Sequence, residues 1–87
     1  MGVTCIDAER LTFNNISVFA KEGPVFSLDN AKNITIRRSK YLPNASVFLK
    51  VDHKGSSGIR VLESDLTKAQ KQFELATDVP ANAVQTK

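Results

Sequence analysis

Nine carboxylates, one histidine and one cysteine are the groups in this 87-residue chain that could act as acid, base or nucleophile. Acid/base chemistry at a single bond needs two such groups converging on it. Here the acids are dispersed, as Asp7, Glu9, Glu22, Asp29, Asp52, Glu63, Asp65, Glu74 and Asp78. Asp7, Asp29 and Asp52 recur at an interval that would stack them in one column, each opening a polar turn. Turn capping explains that placement better than catalysis, because an Asp side chain bonds readily to the backbone just beyond it. His53, between Asp52 and Lys54 and without flanking glycines, reads as an exposed loop residue. Cys5 lies beside Ile6 in strand-like sequence, where a small buried hydrophobe is the favoured role. It has no partner for an internal disulfide, and a Cys5–His53 pair is too unspecific a signal to carry catalysis. No catalytic residue is therefore expected. Metal-ligand spacing, the closely spaced acids and Gly of a Ca²⁺ loop, and phosphate-cradling glycines are all missing, so neither a metal nor a cofactor is expected.

The bases are equally scattered. The formal net charge is +3, and only Arg37, Arg38 and Lys40 cluster. No aromatic residues interleave with them, which favours a solvated outer strand face over a nucleic-acid site. Exposed Arg37, Arg38, Lys40 and Lys50 are the residues that could touch acidic sugars. Apolar runs are only a few residues long, far short of a membrane span. Met1-Gly2-Val3-Thr4 has neither the basic start nor the apolar segment of a signal peptide. Three glycosylation sequons begin at Asn15, Asn33 and Asn44; two coincide with expected corner or turn positions, where Asn has a structural use.

What positions these residues is a repeat. Leu11-Thr12-Phe13, Ile34-Thr35-Ile36 and Ile59-Arg60-Val61 are one apolar-polar-apolar triplet, begun 23 and then 25 residues apart. Out of phase with it, Phe26-Ser27-Leu28, Leu49-Lys50-Val51 and Phe73-Glu74-Leu75 begin 23 and 24 residues apart. Two interleaved strand series on one such period predict a solenoid, whose rungs bury their apolar faces against one another. Antiparallel hairpins would need far shorter connections, and the Leu and Asn skeleton of a leucine-rich repeat is absent. The expected fold is all-β, a right-handed parallel β-helix of about three rungs forming one unit over residues 1–87.

Each rung is expected to hold three short strands, the middle one running roughly 25–28, 34–36 and 39–42. Asn14-Asn15 and Arg37-Arg38 restore the inward phase at a corner. The stretch from Ser64 to Phe73 begins like a capped helix, with Leu66, Ala69 and Phe73 at helical spacing, and predicts a helical turn or two. The polar ending after Val84 reads as a C-terminal edge of the solenoid. Nothing similar protects Val3 to Ile6, which implies further rungs on that side and makes the chain part of a longer solenoid.

The run from Leu11 to Val84 resembles the C-terminal rungs of family 28 glycoside hydrolases, the polygalacturonase-like β-helix enzymes of the pectin-lyase-like group. The similar segments are Leu11-Thr12-Phe13-Asn14-Asn15-Ile16, Phe48-Leu49-Lys50-Val51 followed by Gly55 to Ile59, and Ser64-Asp65-Leu66 with the terminal Val-Pro stretch. The resemblance implies a secreted or periplasmic protein acting on galacturonic-acid-containing polysaccharide by acid/base hydrolysis. The family's Asn-Thr-Asp, Asp-Asp, Gly-His-Gly and Arg-Ile-Lys motifs do not occur here, so no active-site residue carries over and no substrate-binding residue is assigned. The expectation is a non-catalytic end segment of a pectin-degrading hydrolase. The alternative is the end of a non-enzymatic carbohydrate-binding or adhesin-like β-helix.

Overall fold

Apolar residues one repeat apart stand directly over one another. The computed structural model describes residues 2–19, 23–41 and 45–86. In chain order the elements are β1 (Val3–Ile6), β2 (Thr12–Asn14), β3 (Ser17–Val18), β4 (Pro24–Asp29), β5 (Thr35–Arg37), β6 (Lys40–Tyr41), β7 (Val47–Asp52), β8 (Ile59–Leu62), β9 (Phe73–Leu75), a 3₁₀ turn at Ala81–Ala83, and β10 (Val84–Thr86). They form three parallel sheets, ordered β1-β4-β7-β9, β2-β5-β8-β10 and β3-β6. Each neighbour in a sheet comes from the next turn of the coil, so the chain is a parallel β-helix of about three turns.

The register matches the repeat. Phe13, Ile36 and Val61 form one column, and Val3, Phe26, Leu49 and Phe73 another. Phe26, Leu28, Ile34, Ile36, Phe48, Leu49, Val51 and Ile59 are fully buried. Leu11 occupies the same place as Ile34 and Ile59 but is partly exposed, because no rung lies over it in the structure. Rings tie the sheets together: Phe13 to Phe26 at 5.7 Å, Phe26 to Phe48 at 5.5 Å and Phe48 to Tyr41 at 5.2 Å between centroids, all tilted.

The coil bends at residues with left-handed backbone, and these too are stacked. Asp7, Asn30 and His53 begin the turn after the first sheet; Arg10, Asn33 and Gly58 end it; Asn15, Arg38 and Glu63 make the next corner. All nine have positive φ. A single left-handed residue re-aims the strand without consuming length, and Asn accepts that backbone better than most residues. The ladder continues through the bends. Asp7 N–H donates to Asp29 O (2.9 Å), Asn33 N–H to Ser57 O (3.0 Å) and Arg38 N–H to Leu62 O (3.1 Å). A Cβ at Gly58 would lie 2.6 Å from Asn33 Oδ1, so a larger residue there would have to displace the Asn33 side chain.

Three expectations need correction. Asp29 and Asp52 are register partners at the ends of β4 and β7, but Asp29 pairs with Ile6, not Asp7. Asp7 stacks instead with Asn30, whose Nδ2 donates to Asp7 Oδ1 at 2.8 Å. The Asp column thus has two members, and only the first turn opens with Asp. The third turn is longer than the other two by Lys54-Gly55; Ser56 returns to the column of Ala31, buried like it.

The helical turn or two expected between Ser64 and Phe73 does not form. Asp65 accepts from both the amide and the hydroxyl of Thr67 (3.0 and 2.6 Å), a local turn that competes with helix. The chain makes one tight turn, Ala69 N–H donating to Leu66 O at 3.2 Å, and goes no further toward helix because the neighbouring rung offers better partners. Gln70 N–H donates to Ala45 O, and Phe48 and Leu49 N–H donate to Lys71 and Gln72 O. The third rung consequently has no third strand. In the middle rung that strand is β6, and its expected end at Leu42 lies outside the described residues, as does the sequon at Asn44.

Ser56 illustrates how few polar groups the interior admits. Its hydroxyl donates to Asp52 O (2.8 Å) and accepts from the buried amide of Ala31 (3.1 Å). Ser56→Ala strands that amide, so a loss of about 1–3 kcal/mol is expected from the urea unfolding midpoint at unchanged slope. A smaller change would mean that water replaces the hydroxyl.

Candidate functional site

The missing third strand leaves a gap in the wall. After β8 the chain turns at Glu63, and Ser64 Oγ accepts from the amide of Ser39 (3.0 Å) while donating to Leu62 O (3.1 Å). Beyond that point it swings away from β6 and rejoins the ladder only at Gln70. Tyr41 pins the excursion from inside, its hydroxyl donating to Asp65 O at 2.6 Å. Between the departing segment and β6 lies a depression of about 300 Å³, bounded by Phe19, Ser39, Lys40, Tyr41, Asp65 and Lys68.

The chemistry of this groove is mixed. Phe19 is 63% exposed, an unusual state for a ring. Lys40 and Lys68 make no salt bridge among the described residues, although the Lys68 charge helps hold the Asp65 carboxyl down. Asp65 is already committed to Thr67, whose hydroxyl and amide hold its carboxyl below the usual range, so it stays ionised. Burial pushes the Tyr41 phenol up, keeping it a donor. Ser39 is buried, and its hydroxyl has no partner among the described residues.

The cations singled out by sequence do not come together. Arg37 and Arg38 share Glu63, at 3.5 and 3.2 Å. Lys50 is on the sheet of β1, β4, β7 and β9, in register with Glu74. Only Lys40 reaches the groove. Cys5 and His53 belong to rungs two steps apart, about 9–10 Å along the stacking axis. Burial raises the Cys5 thiol, against nucleophilic use, and His53 Nδ1 accepts the amide of Gly55 at 3.0 Å. Among the described residues no three His, Cys, Asp or Glu side chains converge as a metal site would require. No helix there is long and apolar enough to cross a membrane.

A larger depression of about 550 Å³ lies over Arg60, Leu62, Gln85 and Thr86. It has one cation, a long contact from Arg60 to Thr35 Oγ1 (3.5 Å), and no stranded polar group. The smaller groove is therefore the stronger candidate site. Its members Phe19, Ser39, Tyr41 and Lys68 were not evident in the sequence as a cluster. Lys40 and Asp65 are one repeat apart, and reading polar positions on the period of the apolar ones would have paired them. The chain matches no protein-family model, no curated protein and no solved structure.

Proposed function

We propose that this chain forms end rungs of a polysaccharide-acting β-helix protein of the polygalacturonase-like kind, secreted or periplasmic, and that its own part is non-catalytic. The observation that carries the second half is the state of the acids. Asp65 is the one carboxylate among the described residues of the groove and is held by Thr67, leaving no second carboxylate among them to pair with it. What supports the first half is the place of the similar segments in the coil. Leu11 to Ile16 spans β2 and its left-handed corner at Asn15, while Phe48 to Val51 and Gly55 to Ile59 bracket the long turn into β8. A second reading, a non-enzymatic β-helix that binds acidic carbohydrate, is favoured by Lys40 and Lys68 at the groove, neither in a salt bridge among the described residues.

Two measurements test this. The purified chain should release no reducing ends from polygalacturonate; release above a mock purification would overturn the non-catalytic assignment. Reading the gene upstream of Met1 tests the parent. Further rungs carrying Gly-His-Gly and paired aspartates support the hydrolase, and a stop codon immediately before Met1 rules it out.

A further inference from the structure

We draw no further inference here: the strongest candidate, the apolar edge of the coil's first turn where Ile6, Leu11 and Phe19 stand exposed beside β1, β2 and β3, carries nothing because nothing in the structure shows what covers it.

Discussion

Phe48→Ala is expected to lower the stability of the chain by about 3–5 kcal/mol, the range for removing a fully buried ring. Phe48 occupies the centre of the coil. Its ring contacts Phe26 at 5.5 Å and Tyr41 at 5.2 Å, so truncation opens a void that two other rings border. Neither can collapse into it. Phe26 is held in the middle of β4, and Tyr41 is tethered by its hydroxyl to Asp65 O. A loss of that size is a large share of what a domain of 87 residues has in total. Urea unfolding should show the midpoint falling with little change in slope. A loss under about 1 kcal/mol would contradict the packing described here.

A glycine inserted between Thr35 and Ile36 should do more, abolishing cooperative unfolding altogether. The column of Phe13, Ile36 and Val61 depends on a period of two within each strand. One extra residue there sends the rest of the strand to the wrong face and breaks its register on both sides at once, since β5 is the middle strand between β2 and β8. The same glycine inserted beside Gly55 should cost less than about 1 kcal/mol, because closing a slightly longer exposed loop is inexpensive. That turn already carries two residues more than its counterparts. Circular dichroism and a melting curve of the two insertions distinguish the outcomes; similar behaviour would mean the register is not what holds the coil.

These contrasts show which parts of the fold were legible in the sequence. Inward positions such as Ile36, Leu49 and Val61 were readable because alternation and a fixed period act on the same residues, and each constraint checks the other. Phe48 and Val25 were harder. Each is buried next to another buried residue, which breaks the alternation at the entrance to β7 and β4. The placing of Asp29 failed by one position because Asp tolerates both a strand end and a turn start. The segment after Ser64 failed because helical spacing is a local signal, whereas Gln70, Lys71 and Gln72 are fixed by partners in the preceding rung. The groove is a product of that departure, so its members could not be assembled without knowing where the chain leaves the ladder. Lys40 was visible as a cation; that it makes no salt bridge among the described residues while Arg37 and Arg38 share Glu63 depends on the corner geometry.

The stacking of every strand on the next turn also sets how fast the fold can appear. Partners such as Val3 and Phe26, Leu49 and Phe73, or Ile36 and Val61 are 23 to 25 residues apart, more than a quarter of the chain. Among the described residues no hairpin or α-helix offers contacts that could reward the first steps, so each strand pairing there requires closure of a loop of one full turn. Topologies dominated by such distant pairings fold in roughly milliseconds to seconds, against microseconds for helical bundles of similar size. Once one pair of turns is closed, the next strand finds a finished edge and an identical closure distance. Growth from that nucleus should therefore advance one turn at a time at nearly constant rate, and substitutions in the β4–β7 contact should slow refolding more than those in β10.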